Sequence, residues 1–442
     1  MGDARVSRLL LLSHTTGYQL RAFNDAAERL GVDIVFATDR CHRLDDPWQD
    51  RAVAVRFHDV PGSLRAITDR VRKTPVDGVI AVGDRPVVLA ACAAEALGLD
   101  WHDPEGALAS TDKRRARRLF GEAGLPSPSF QVHRLDEIVE GGAAWLRRSN
   151  PRFPVVVKPV GLSGSRGVIR ANDLEETHAA VWRIRALLAR PQIRSARTGL
   201  EDEILIEEYI DGDEFALEGV MTHGRLQTFA IFDKPDPLVG PFFEETIYTT
   251  PSRLSEARQL AVADAVGRGA TALSLFHGPL HAEVRIASDG RVFVLEIAAR
   301  PIGGLCSRVL TFSNGMSLEE ILIHHALGED ISETRRESQG AAVMMIPIPR
   351  RGVLKGVAGE PDASAVPGVT EIRITAKPDQ LLEQLPEAGS YLGFIFARAA
   401  TAKNAEAAVR TAHGQLAFDI AREIRIQNSE FRTQNSAENP RT

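Results

Sequence analysis

A chain of 442 residues has room for two or three domains and a large core. Its 53 basic and 59 acidic side chains leave a net charge of −6, without the basic stripe of a general nucleic-acid binder. No apolar run reaches the length of a membrane span, and the four-leucine run near the N-terminus is too short for a signal-peptide core. The three scattered cysteines (Cys41, Cys92, Cys306) fit reduced cytoplasmic thiols, and no Cys/His cluster has zinc spacing.

The first hundred or so residues alternate strand and helix patterns. Residues 8–12 read as a buried strand, 18–30 as an amphipathic helix ended by Gly31, and 32–37 as a second strand. Residues 63–73 read as a helix, 78–82 as a strand and 87–97 as a helix stopped by Gly98. Alternation of this kind predicts an N-terminal α/β domain, residues 1–108, around a parallel sheet. Its loops HTTG and GDRP fall at the carboxyl ends of strands, where open sheets place ligands. A helix over 113–123, capped by Thr111 or Asp112, leads into a strand-rich α+β region with helices over 174–189 and 255–273. After residue 340 come short strands, a helix over 379–385, the strand YLGFIFARA and a last helix over 404–416. Residues 428–442 read as a disordered tail.

Two stretches carry chemistry. VVVKPVGLSGSRGVIR, residues 155–170, starts as a strand, meets Lys158 and loosens into glycines and serines. It lacks the GK[ST] of a P-loop and the helix of a dinucleotide fingerprint, so a plain turn and a phosphate-covering flap both stand. The second is HAEVRIASDGRVFVLEIAARP, residues 281–301. A two-residue Asp289-Gly290 turn makes Ala287 face Val292, Arg285 face Val294 and Glu283 face Glu296. Ala282, Val284, Ile286, Phe293, Leu295 and Ile297 then share an apolar face, and the two glutamates meet on the other. Opposed like charges are destabilising. Protonation of one carboxylate relieves them, as does a divalent cation; hard oxygen donors without His or Cys suit Mg²⁺. The plain alternative is two solvated glutamates neutralised by Arg285.

The ordered set DKRRARRLFGEAGLPSP, VVVKPVGLSGSRGV, ILIEEYIDGDEFALEGV and HAEVRI…VFVLEIAARPIGG resembles the ATP-grasp superfamily. Within it, FDKPDPLVGPFFEETIYTTPS, RPIGGLCSR and the closing YLGFIFARAATAKNAEAAVRTAHGQLAF are most similar to the dipeptide-forming L-amino-acid ligases. The resemblance implies a two-lobed ATP-grasp domain over 109–335, with a lid over about 125–210, and a small C-terminal α+β domain over 336–427. It implies that Lys113 and Lys158 contact ATP phosphates under a flap of Ser163, Gly164, Ser165 and Gly167. It places Glu207, Glu208, Tyr209 and Ile210 at adenine and Glu214 at the ribose. Glu283 and Glu296 would hold Mg²⁺, one ion or two, with Mn²⁺ an alternative; Ala298 stands where many relatives have a further asparagine ligand. Arg300 would stabilise transferred phosphate and a substrate carboxylate, Glu245 and Tyr248 would meet an amino-acid substrate, and Gly303 and Gly304 would shape the acyl pocket.

For each of these a bland alternative stands beside the implied role. Lys158 could guard a sheet edge, Lys113 could be an exposed helix residue, and Glu214 with Glu218 could form an exposed polar face. Glu244 competes with Glu245, and His281 could fill space beside the metal strands. The activity implied is an ATP-dependent carboxylate–amine ligase working through an acyl phosphate on small-molecule amino acids, in the cytoplasm, with no nucleic-acid or membrane partner. Homodimers are common in such families, although nothing in the sequence marks an interface. The competing readings are another ATP-grasp carboxylate enzyme, of the biotin-carboxylase or purine-pathway kind, and a nucleotide-binding module without catalysis.

Overall fold

The computed structural model describes residues 5–14, 19–39, 52–149 and 151–422. Tyr18, most of the HTTG loop, Cys41 and the expected tail lie outside the described residues. No helix among the described residues is long and apolar enough to cross a membrane.

The N-terminal part is the parallel sheet that the alternation implied. Its strand order is Val53–Ala54, Asp33–Thr38, Arg8–Ser13, Gly78–Val82. Leu9, Leu10, Leu11 and Leu12 are fully buried, as a strand covered on both faces requires. The helices Leu20–Leu30 and Val87–Leu97 end at Gly31 and Gly98, both left-handed, where a side chain would be strained.

Two further layers build the site. One is an antiparallel four-stranded sheet, ordered Phe130–Arg134, Glu203–Glu208, Val155–Pro159, Ile169–Ala171, with its own hydrophobic core against the Leu174–Leu188 helix. The other is an antiparallel eight-stranded sheet, from Val292–Ala298 and Gly278–Ile286 at one end to Gly393–Ala399 and Val369–Ile374 at the other. The Ile247–Thr250 strand pairs with Gly340–Ile346, so this sheet runs unbroken from the central region into the C-terminal one.

Three helices were missed and one was misread. The helices Pro104–Thr111, Leu135–Ser149 and Leu318–Ala326 had no expectation attached to them. The helix expected over 379–385 is absent. Asp379 has φ of +61°, which a right-handed helix excludes, and Leu381–Leu382 pairs instead with the Gly352–Ala358 strand, burying Leu382. The apolar spacing there satisfied a helix and a short strand equally.

The glutamate hairpin reaches its expected pairing by a different route. Glu283 does face Glu296, but Arg285 faces Phe293, and Ile286 faces Val292. The turn is one residue longer than Asp289-Gly290: the Ala287 N–H donates to the Arg291 carbonyl (3.0 Å) around Ser288, Asp289 and Gly290. A bulge at Leu295, between the Val284–Val294 and Glu283–Glu296 pairs, restores the register. It also swaps faces, so Val294 enters the core in place of Leu295, which turns to a cavity.

Candidate active site

The four-stranded and eight-stranded sheets, with a contribution from the C-terminal region, enclose a cavity of about 370 Å³. Every residue expected to form the site lines it except Gly167. Gly167 sits at the root of the flap, where its N–H donates to the Pro386 carbonyl at 2.8 Å and an added Cβ would meet Pro159. Gly164 and Ser165 have φ of +66° and +54°. Two successive positive-φ residues make a tight turn, and it lines the cavity beside Lys158.

On the lid side, Lys158 stands on an interior strand of its sheet and guards no edge. Its ammonium meets Glu207 at 2.6 Å, and Arg117 meets the same carboxylate at 2.9 Å, all three buried. Burial pushes the Glu207 carboxyl upward, yet the two cations hold it below its ordinary range; burial lowers Lys158. Lys113 is largely buried and donates to the Leu162 carbonyl at 2.7 Å, with Glu296 3.3 Å away. In the segment joining the lobes, the Glu208 N–H donates to the Ser129 carbonyl (2.9 Å) and the Ile210 carbonyl accepts from Arg285 (2.8 Å). The Arg170 guanidinium lies 4.2 Å from the Tyr209 ring centroid.

The floor is acidic. Glu214 and Glu218 are buried rather than an exposed polar face. Glu214, Glu245 and Glu283 bring carboxylate oxygens within 4.8 Å of one another, in one of two such metal-suited groupings among the described residues. Lys234, absent from the sequence expectations, projects into the trio: 2.7 Å from Glu214, 3.7 Å from Glu283, and hydrogen-bonded to Glu245. Arg285 does not neutralise the opposed glutamates; it binds Glu214 at 2.9 Å and the Leu238 carbonyl at 2.6 Å. The two hairpin carboxylates therefore engage different cations, Glu283 toward Lys234 and Glu296 toward Lys113. Burial lifts the Glu283 carboxyl to about 8; the charge of Lys234 opposes this, and Glu245, Glu214 and Glu296 add to it. An all-oxygen donor set of this kind fits a hard divalent cation.

At the substrate end, Arg300 binds Asp84 of the GDRP loop at 2.7 Å. Burial works against the Asp84 charge, but Arg300, with help from Ser163 and Lys113, holds its carboxyl at about 2. Asp84 was not singled out from the sequence, although its loop was, by its place at a strand's carboxyl end. Glu218, fully buried, accepts the Ile302 N–H on both oxygens (3.1 Å each) and contacts His281 Nδ1 at 2.9 Å. It thereby fixes the turn that carries Gly303 and Gly304, and His281, buried in the hairpin, lines the cavity wall. Gly304 has φ of +63° and abuts Phe394, whereas Gly303 faces open space. Tyr248 is buried on the cavity wall, its phenol pushed upward by burial. Glu245 lines the cavity and Glu244 lines a separate hollow, which resolves that competition in favour of Glu245 as the cavity residue. The C-terminal region adds Tyr391, which no sequence signal had marked.

Comparisons with known proteins agree with this architecture. Residues 24–100 match the ATP-grasp N-terminal domain, 151–309 the ATP-grasp domain, and 344–421 the L-amino acid ligase C-terminal domain 2. The chain is 27% identical over 240 residues to an alanine–anticapsin ligase of Bacillus subtilis, covering 52% of this chain and 49% of that protein, so it spans about half of that relative's length. It is 24% identical to dapdiamide A synthase of Enterobacter agglomerans, over 77% of this chain and 78% of that one. The crystal structure of an L-amino acid ligase from Bacillus licheniformis superposes with a TM-score of 0.75 at 25% identity, over 94% of this chain and 99% of that one. The chain therefore carries ATP-grasp N-terminal and ATP-grasp domains followed by an L-amino acid ligase C-terminal domain.

Proposed function

We propose that the chain joins a carboxylate to an amine at the expense of ATP, with two L-amino acids as substrates and an acyl phosphate between the two steps. One observation carries the reading: a single cavity holds phosphate-type cations at one end, an acidic floor in the middle, and an arginine with an ammonium-type carboxylate at the other. The family and the named activities of its relatives point the same way.

In this reading Lys113 and Lys158 receive the ATP phosphates, and Ser163 to Ser165 cover them. Adenine pairs with the Glu208 carbonyl and the Ile210 N–H, since the opposite groups of those residues are engaged by Ser129 and Arg285. Glu214 keeps lone pairs for the ribose hydroxyls beside its two cations. Glu283 and Glu296 hold Mg²⁺, which when bound neutralises charge on the phosphate oxygens. A substrate carboxylate oxygen, placed by Arg300, attacks the γ-phosphorus as the bond to the ADP oxygen breaks. The amine of the second amino acid, its binding shaped by Glu245 and Tyr248, then attacks the acyl carbon; the bond to phosphate breaks and the amine loses a proton. Positioning and charge neutralisation carry most of such a reaction, and closure of the flap protects the acyl phosphate from water. The test is phosphate release with MgATP against a matrix of amino-acid pairs, with mass spectrometry of products. A dipeptide mass accompanying stoichiometric phosphate is the expected result. ATP turnover stimulated by bicarbonate or a nucleotide, and by no amino-acid pair, would overturn it.

A further inference from the structure

A second cluster of metal-type ligands lies away from the cavity, assembled from segments too far apart in sequence for any spacing rule to detect. Asp100 follows the Val87–Leu97 helix, His223 occupies the tip of the hairpin between Asp213–Thr222 and Arg225–Asp233, and His277 precedes the Gly278–Ile286 strand. Each offers one ligand atom, and these atoms lie within 4.8 Å of one another. None of the three lines the ATP-grasp cavity.

His223 Nε2 and Asp100 Oδ2 are 3.3 Å apart. Tetrahedral zinc, with bonds of about 2.0–2.1 Å, sets neighbouring donors about 3.3 Å apart. A surface ion pair accounts for these two exposed side chains, but it leaves out the third. His277 is only 3% exposed and its Nδ1 has no hydrogen-bond partner, an arrangement that burial normally penalises. Its ring is packed in place, stacked on His325 with centroids 4.0 Å apart and planes 10° apart; His325 Nε2 is in turn 2.9 Å from Thr222 Oγ1. The hairpin tip is fixed against the same segment, because the Gly224 N–H donates to the Phe276 carbonyl at 2.8 Å. His223 itself has φ of +47°, at the tip of this tight turn.

We infer that Asp100, His223 and His277 form a second cation site, selective for a borderline transition metal such as Zn²⁺ over Mg²⁺, with an open fourth position. Two imidazoles and one carboxylate are the donors that zinc, cobalt and nickel prefer, whereas Mg²⁺ prefers oxygen alone. The site joins the N-terminal domain to the eight-stranded sheet, so occupancy stabilises that junction by mass action.

The test uses the untagged full-length chain and the metals themselves. Zn²⁺ binding is measured by calorimetry, and Co²⁺ binding by its visible absorption, in the wild type, in Glu283→Gln, and in His223→Asn and Asp100→Asn, whose exposed side chains can change without unfolding the core. The expected result is one Zn²⁺ equivalent retained in Glu283→Gln, with affinity falling by about tenfold or more in the other two variants. A rise in thermal midpoint with Zn²⁺ should follow the same pattern. Zn²⁺ affinity unchanged in His223→Asn and Asp100→Asn, or lost in Glu283→Gln, overturns the assignment and leaves a surface ion pair beside a buried histidine.

Discussion

Two acidic centres line the cavity, and they are balanced differently. On the lid side Glu207 is matched by Lys158 and Arg117, two cations for one carboxylate. On the floor Glu214, Glu245 and Glu283 share Lys234, with Arg285 serving Glu214 alone. The lid centre is therefore complete in the free protein, with a surplus charge to offer a phosphate. The floor centre sets three carboxylates against Lys234 and Arg285, and burial together with the neighbouring carboxylates lifts Glu283 to about 8. One region is built to stay as it is; the other is built to receive a cation.

The sharpest way to break the lid centre is Glu207→Gln. It strands two buried cations, so a stability loss of about 3–5 kcal/mol is expected in urea unfolding. On the hairpin, Glu283→Gln or Glu296→Gln should leave the fold intact, because both side chains are partly exposed and Gln keeps their shape. Metal-dependent ATP turnover should nevertheless fall by about 100-fold or more in steady-state phosphate release. Equal stability losses at the two centres would erase the distinction.

Smaller effects sharpen it. Asp84→Asn removes the partner of Arg300 and should cost on the order of 1–2 kcal/mol at neutral pH, discounted because Asp84 is partly exposed. The folded Asp84 carboxyl lies at about 2, below its ordinary value of 3.8, so the wild type has this increment above about pH 4 and loses it as the pH falls through 2. The gap in urea midpoint between wild type and variant should therefore shrink on acidification. Glu245→Gln should raise the KM for the amine substrate by about tenfold, whereas Glu244→Gln, outside the cavity, should leave it unchanged.

The two regions also differed in how much could be read beforehand. The N-terminal sheet was legible because buried parallel strands and glycine-ended helices leave strong local patterns. The Glu283–Glu296 pairing was legible only because two departures cancelled, a turn one residue longer and a bulge at Leu295. The same bulge turns Leu295, which strict alternation placed in the core, toward the cavity. Lys234 stood inside a segment already noted for its resemblance, yet its role depends on three glutamates from other strands, which no local pattern encodes. Asp84 and Tyr391 enter the site from the N- and C-terminal regions for the same reason. Long-range convergence, rather than propensity, is what the sequence hid.

The floor's charge deficit is tested most directly by binding a paramagnetic cation, Mn²⁺, in the presence of ADP and counting free ion by electron paramagnetic resonance. The account predicts tight binding in the wild type, weakened by about tenfold or more in both Glu283→Gln and Glu296→Gln and unchanged in Asp100→Asn. Mn²⁺ affinity that survives both glutamate substitutions would contradict it.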